Sequence, residues 1–434
     1  MTFHIHGSLL LWQERLAGNQ FKEENVFMKN WKKFAALGMA AVMAAGTLAG
    51  CGGGKDSGGA GAGDATTQAE AGEKPEAKED AGADKAEAKD EGGSDSGEKK
   101  EVYVFIRDRG DLSYWDSMAE GSDRAVKDFA DRANVHVVET TADIQANLQA
   151  MYEAADAGAD LIITASDFKD NLVEVSNEYP DIAFTIISEN VIDQCENGNV
   201  YGVDFATAQA AYLGGIVAAD IAANGAGDVE ATNVIGFVGG MDESLPIQEY
   251  LWGYIQGAKA YNPDVKIVYN YVGAWNDPDT AKTQSMTQYN DAGAAVIFAC
   301  AGGSGNGVHN ASAEAKKFVL GVDSDQSLLY ADDKDIQDRF ATSVVKEVGT
   351  AIYNVIGQYL DEGTLPYGEY EIVGLADGAV GIVEGAALDG VLSDEGKAKL
   401  EEAKAGISDG SITVESAIGR EQDEIKAFIT ENCQ

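Results

Sequence analysis

The sequence is poor in the residues that build metal centres and disulfide frameworks. Its 434 residues hold four cysteines and four histidines, and beyond residue 51 only His136, His309, Cys195, Cys300 and Cys433 remain. No two cysteines share a paired metal-ligand or Cys-x-x-Cys spacing, and three thiols cannot all pair, so structural zinc and a disulfide framework are both argued against. Positive charge is also scarce: 31 Lys and Arg against 73 Asp and Glu give a formal charge of −42. A phosphate-binding surface must be basic, so nucleic acid is excluded as a partner; the acidic excess speaks to solubility more than to function. Beyond residue 50 no apolar run approaches the ~18 to 20 residues that span a bilayer. From Gly52 to Lys100 there is no Val, Ile, Leu, Met or aromatic residue. Nothing there can be buried to offset ordering entropy, so residues 51–100 are expected to form a disordered tether with a span of roughly 40 Å.

What precedes that tether is a targeting signal. From Met28 a basic stretch (Lys29, Lys32, Lys33) leads into an apolar run, Phe34 to Leu48, and then Leu48-Ala49-Gly50-Cys51. The run is too short for a spanning helix and ends in small residues, as a signal peptide over residues 28–50 should. The final quartet resembles the bacterial lipobox, which implies cleavage before Cys51 and diacylation of its thiol. Acyl chains contribute about 0.8 kcal/mol per buried CH₂, enough for two or three of them to hold the protein on a bilayer. Because a signal peptide begins with its basic region, translation is expected to start at Met28, with Lys22-Glu23-Glu24 the in-frame reading of a ribosome-binding site and residues 1–27 outside the translated chain.

The remaining residues, from about Val102 to Gln434, suffice for two domains of ordinary size. Short β-branched runs alternate with amphipathic ones. The spacing predicts strands at Val102–Arg107, Val135–Glu139, Leu161–Ala165, Ala183–Ile187, Val234–Val238, Lys266–Tyr271, Ala295–Cys300 and Phe318–Val322, with helices at Trp115–Arg132, Ile144–Ala157, Pro246–Tyr261 and Pro278–Ala292. Strand, helix, strand at this spacing means an α/β fold with parallel sheets. A Gly-rich break at Asn224 to Asp228 fits a boundary between two such units. Ligands in open parallel sheets bind outside the carboxyl ends of the strands, so function is sought there.

Those strand ends carry, in order, Gly110-Asp111-Leu112-Ser113-Tyr114-Trp115, Val238-Gly239-Gly240-Met241-Asp242, Asn262-Pro263-Asp264-Val265-Lys266, Gly273-Ala274-Trp275-Asn276-Asp277-Pro278, Ala301-Gly302-Gly303-Ser304-Gly305-Asn306-Gly307-Val308, Gly321-Val322-Asp323-Ser324-Asp325-Gln326 and Ser343-Val344-Val345-Lys346. Over about Val102 to Glu384 the chain resembles the basic membrane lipoprotein family of nucleoside-binding proteins that serve ABC transporters. The resemblance implies a type I periplasmic-binding fold, two Rossmann-like lobes joined by three hinge crossings, with the ligand between them. The crossings are expected near Asp204, Asp325 and Tyr370, giving one lobe of residues 101–204 and 326–370 and another of 205–325 and 371–434. It further implies a monomer on the extracytoplasmic face of the cell membrane, with a nucleoside and a membrane permease as partners and no cofactor or metal.

Tyr114 or Trp115 on one lobe and Trp275 on the other can sandwich a flat base, and such stacking is worth about 1 to 3 kcal/mol per base. Trp275 and Tyr114 stand where the family usually has Phe; the alternative for each is packing in the core. Asp323, at the end of a strand, can accept two charge-assisted hydrogen bonds from a vicinal diol, and the resemblance makes it a ribose ligand with Lys346 beside it. The alternative for Asp323 is a helix N-cap, and Lys346, read alone, lies in an amphipathic helix and faces solvent. Gly302 and Gly303 let backbone approach a ligand closely. The same glycines with Asp323 outline a dinucleotide site, but Gly303-Ser304-Gly305-Asn306-Gly307 lacks its third glycine at G-x-G-x-x-G spacing. Asp111 and Ser113 complete the implied set. Where the family usually carries a base-contacting Asp after Ala183–Ile187, this chain has Ser188. Gln209 stands for a familiar glutamate and is read as helix packing.

The competing class is an extracellular nucleoside-processing enzyme, for which Asp323 and Asp325, sharing one face of an extended segment, are the best candidate carboxylates; a non-transport role in adhesion or signalling is a third reading. Cys51→Ala is expected to abolish acylation and cleavage before residue 51 without changing ligand affinity, as read by intact mass and titration. An acylated variant would refute the lipobox.

Overall fold

The computed structural model describes residues 98–434 apart from 108, 111, 112, 141 and 142. Cys51, the tether and Asp111 lie outside the described residues. Twelve strands form two six-stranded sheets. In chain order they are β1 Lys100–Ile106, β2 Ala133–Glu139, β3 Leu161–Ala165, β4 Ala183–Ile187, β5 Val200–Phe205, β6 Val234–Gly239, β7 Lys266–Tyr271, β8 Val296–Cys300, β9 Phe318–Asp323, β10 Phe340–Lys346, β11 Tyr370–Val373 and β12 Val380–Ile382. The first sheet runs β11-β5-β4-β3-β1-β2 and the second β12-β10-β9-β8-β6-β7. All pairs are parallel except β10 with β12. Two α/β lobes with mostly parallel sheets are therefore present.

The central strands β3, β4 and β8 are apolar and buried along their whole length, the pattern of strands covered by helices on both faces. Six of the eight expected strands coincide with observed ones to within a residue at each end, and the other two start two residues earlier than expected. Reading missed β5, β10, β11 and β12. The expected helix over Pro278–Ala292 is α-helical to Thr287 and continues as one π turn to Ala292.

The lobe boundaries differ from expectation. The chain leaves the first sheet after Phe205, and the helix Thr207–Asn224 already packs against the second lobe, so Asn224 to Asp228 is a turn inside that lobe. β10 pairs in parallel with β9, hence the second crossing follows Lys346, not Asp325. The helix Val348–Glu362 then packs against Tyr114–Asp128 of the first lobe. β11 pairs with β5, so the third crossing falls between Val373 and Val380, not at Tyr370. Gln209 does more than pack: its side-chain oxygen accepts from Leu375 N at 2.9 Å, tying that third crossing to the second lobe.

Helices Thr207–Asn224 and Leu245–Tyr261 meet backbone to backbone. A Cβ at Gly253 would lie 2.2 Å from Ala208 O, and one at Gly257 would lie 1.8 Å from Tyr212 O. The same helix pair positions Tyr250 beneath the cleft. Nearby, the fully buried Asp220 carboxylate accepts from Tyr261 OH at 2.6 Å and Ser393 N at 2.9 Å, fixing the start of the helix Asp394–Ser408.

Gly257→Ala is expected to force those helices apart and cost about 1 to 3 kcal/mol. Gly390→Ala, in an open helical position, should instead gain roughly 0.5 to 1 kcal/mol. Urea unfolding of both variants checks the pair, and equal effects would contradict the close packing.

Candidate ligand-binding site

The carboxyl ends of the two sheets face one another across a cavity of about 570 Å³, within the ~300 to 1,000 Å³ typical of small-molecule sites. Ser113, Tyr114, Trp115, Ser188, Trp275, Gly302, Gly303, Asp323 and Lys346 all line it. Of the expected ligand-binding residues only Asp111 is outside the described set.

Two strand-end residues are in the left-handed region: Ser188 after β4 (φ 63°) and Asp323 at the end of β9 (φ 64°). A small polar side chain tolerates that conformation far better than a branched one, and it lifts each side chain off its sheet. Asp323 Oδ1 accepts from Tyr250 OH at 2.8 Å and Oδ2 from Ser113 Oγ at 2.5 Å. Ser113 belongs to the first lobe and Asp323 to the second, so this bond spans the cleft. A carboxylate has about four acceptor sites, so both oxygens retain capacity for a ligand. Asp323 is not a helix cap; that role falls to Asp325, whose Oδ1 accepts from Ser327 N at 3.2 Å and Ser327 Oγ at 2.6 Å. The two carboxylates therefore do not share a face toward the cavity.

Lys346 is the largest departure from the sequence reading. It ends β10 and is 3% exposed. Its Nζ stands 4.7 Å from the Tyr114 ring centre, 5.7 Å from that of Phe205 and 5.8 Å from that of Tyr250. Aromatic faces attract a cation within about 6 Å, yet among the described residues no carboxylate lies within ion-pairing distance of it. Asp204, at the first crossing, feels it more remotely. Burial pushes that carboxyl above its ordinary range, while hydrogen bonds from Tyr370 and Phe205 N and the Lys346 charge pull the other way.

Trp275 is 41% exposed. Its ring lies against Gly240, where a Cβ would be 2.4 Å from the ring, and near Gly302. Ser304 holds the preceding loop, accepting from Asp277 N at 2.7 Å and donating to Ala274 O at 2.9 Å. Tyr114 starts the helix Tyr114–Asp128, and its hydroxyl donates to Ser188 Oγ at 3.3 Å; burial pushes that hydroxyl well above its ordinary pKa. Trp115 is buried, edge-on to Tyr114 (5.1 Å) and Phe168 (6.0 Å), so of the two aromatics it is the one committed to the core.

Sequence reasoning missed Arg107, Asp167, Tyr250, Cys300 and Asn306, which also line the cavity. Arg107 and Asp167 pair across the ends of β1 and β3, where the strand-end rule points. Tyr250 sits mid-helix, where no sequence signal marks it. Burial raises the Cys300 thiol well above its ordinary value, which keeps it protonated. Among the described residues no cluster of three or more His, Cys, Asp or Glu can hold a metal, and no helix is long and apolar enough to cross a membrane.

The family model for ABC transporter substrate-binding proteins, PnrA-like, matches residues 99–416. Basic membrane protein D of Borreliella burgdorferi (strain JD1) is 29% identical over 268 residues, 61% of this chain and 74% of that protein. The ABC transporter nucleoside-binding protein BmpA of Lactococcus lactis subsp. cremoris is 34% identical over 249 residues, 55% of this chain and 65% of that protein. The crystal structure of an ABC transporter system solute-binding protein from Aeropyrum pernix K1 aligns with a TM-score of 0.65 at 26% identity, covering 77% of this chain and 97% of that one. A transcriptional activator of the comK gene from Bacillus halodurans aligns with a TM-score of 0.58 at 22% identity, over 72% and 99% of the chains. That second likeness is one of fold.

Gly240→Ala is expected to displace the Trp275 ring while leaving the fold intact, because the ring's exposure lets it move aside. The checks are an altered acrylamide quenching of tryptophan fluorescence with a melting temperature within about 3 °C of wild type. Unchanged quenching would mean that the ring does not rest on Gly240.

Proposed function

Since the chain belongs to the family of PnrA-like ABC transporter substrate-binding proteins, we propose that the small molecule it delivers to its membrane permease is a nucleoside, with a purine base favoured. One observation carries the reading: a single cavity holds an open tryptophan face, Trp275, together with a half-buried carboxylate, Asp323, and a buried ammonium, Lys346. The first suits a base, which stacks on any aromatic face. The second pair suits a ribose, whose adjacent hydroxyls both donate and accept. The relative from Lactococcus lactis named as nucleoside-binding supports the same class.

In this reading Tyr114 and Trp275 flank the base, Ser188 and Ser113 offer hydroxyls, Gly302 and Gly303 admit the ligand close to backbone, and Asp323 and Lys346 hold the sugar. Asp111 remains a proposed contributor. Ligand binding draws the lobes together, and the closed form is what the permease recognises. The anchor at Cys51 and the extracytoplasmic location belong to the same proposal and rest on the signal sequence.

Trp275→Ala is expected to weaken nucleoside binding by a factor of roughly 5 to 150, with Trp275→Phe much milder. For the sugar, Asp323→Ala and a 2′-deoxynucleoside should each weaken binding, since either leaves a buried partner unpaired at a cost of about 1 to 3 kcal/mol. Combined, they should fall short of additivity, because the second deletion removes a contact the first has already abolished. Calorimetric titration of the four combinations measures the coupling. Equal affinity of wild type for ribo- and deoxyribonucleoside would overturn the role of Asp323.

A further inference from the structure

Behind the Gly302–Gly303 turn, the helix Gly305–Ala315 carries one cavity-lining side chain that the reading above leaves without a task, Asn306. Its Nδ2 donates to Gly303 O at 3.0 Å, and its Oδ1 accepts from Tyr330 OH at 2.9 Å. The Tyr330 oxygen stands 3.0 Å from His309 Nδ1. Elementary hydrogen-bond rules fix the direction of every step. A backbone carbonyl can only accept, so the amide nitrogen of Asn306 must face Gly303. Its oxygen then faces Tyr330, whose single hydroxyl proton is spent on it. The hydroxyl oxygen therefore receives from His309, which must carry its proton on Nδ1.

The surroundings of His309 agree with that tautomer. The ring is 1% exposed and is packed against Phe340 at 4.8 Å. Its Nε2 is buried with no partner among the described residues, the position of a bare lone pair and a poor one for a proton. Burial pushes the imidazole down to about 3, so the ring stays neutral wherever the protein is folded. Asn306 has committed one N–H to Gly303 and one oxygen lone pair to Tyr330; the second N–H is the donor it has left to give.

We infer that Asn306 is a specificity-determining residue that offers the ligand a hydrogen-bond donor, and that Tyr330 and His309 are positioning residues that prevent its amide from presenting the oxygen instead. The inference rests on the nucleoside reading and adds the polarity of one contact. The base edge that meets the Gly302–Gly303 side of the cavity carries an acceptor, a carbonyl oxygen or an unprotonated ring nitrogen. A base with a donor at that point sets two donors facing each other and is disfavoured.

The experiment is a calorimetric comparison of wild type, Asn306→Ala and Tyr330→Phe with inosine and three analogues that each lack one of its acceptors: purine riboside, which loses O6 and turns N1 from donor to acceptor, 7-deazainosine and 3-deazainosine. One deletion is expected to weaken wild type by roughly 5- to 150-fold. Asn306→Ala should lose a similar factor with inosine and nothing more with that analogue. Tyr330→Phe, which keeps Asn306 but frees its amide to turn, should narrow the gap between inosine and the same analogue. Full additivity for every analogue, or wild-type indifference to all three, overturns the inference while the nucleoside reading stands. Failure of wild type to bind any of the four overturns both. A measurement on the intact wild-type protein keeps the test open should Tyr330→Phe not fold. With ¹⁵N-histidine labelling and His136→Gln to assign the signals, His309 is expected to show a protonated Nδ1 and a bare Nε2, unchanged from about pH 8 to about pH 5. A proton on Nε2 would reverse the relay and overturn it.

Discussion

A cation buried where two lobes meet is the constraint around which the rest of the cleft is arranged. Lys346 ends the strand from which the chain makes its second crossing, so its position is set by both sheets at once. Its charge is surrounded by the rings of Tyr114, Phe205 and Tyr250, one of them from the first lobe's leading helix, one from that lobe's last strand before the crossing and one from the second lobe. Removing an ammonium from water costs several kcal/mol unless other groups replace the lost hydration. Here aromatic faces and one more distant carboxylate, Asp204, replace part of it.

The sequence disclosed this architecture unevenly, for physical reasons. Strands such as Leu161–Ala165 and Ala183–Ile187 are continuous apolar runs bounded by polar residues, and they were legible to the residue. β10, Phe340-Ala-Thr-Ser-Val-Val-Lys, was not, because it is buried along most of its length yet carries hydroxyls. Those hydroxyls are spent on the fold: Ser343 Oγ accepts from Gln326 N at 3.2 Å and Thr342 Oγ1 donates to Val383 O at 2.6 Å. A strand that hides polar groups this way reads as surface, and Lys346 was misjudged with it. The misplaced second crossing follows from the same omission, since without β10 the second sheet ends at Asp323.

The site was more legible than the lobes that build it. Residues after β4, β7, β8 and β9 come together because parallel strands all point their carboxyl ends the same way, so locating the strands was enough to locate Ser188, Trp275, Gly302 and Asp323. What the pattern could not reach are groups supplied by helices and by long-range pairing. Tyr250 approaches from mid-helix to meet Asp323, and the Ser113 to Asp323 bond joins residues far apart in the chain. Such contacts depend on how one lobe sits over the other, which no local periodicity encodes.

The left-handed backbone at Ser188 and Asp323 also limits how this cleft can diversify. Valine, isoleucine and threonine are poorly tolerated at such positions, while Gly, Asn, Asp and other small polar residues are accommodated. Two of the cavity's innermost places are thereby reserved, by backbone geometry alone, for a narrow chemical alphabet of short hydrogen-bonding groups. A descendant of this protein that acquires a more apolar cargo must therefore do so through residues on ordinary backbone, or first rebuild the turns at which β4 and β9 end.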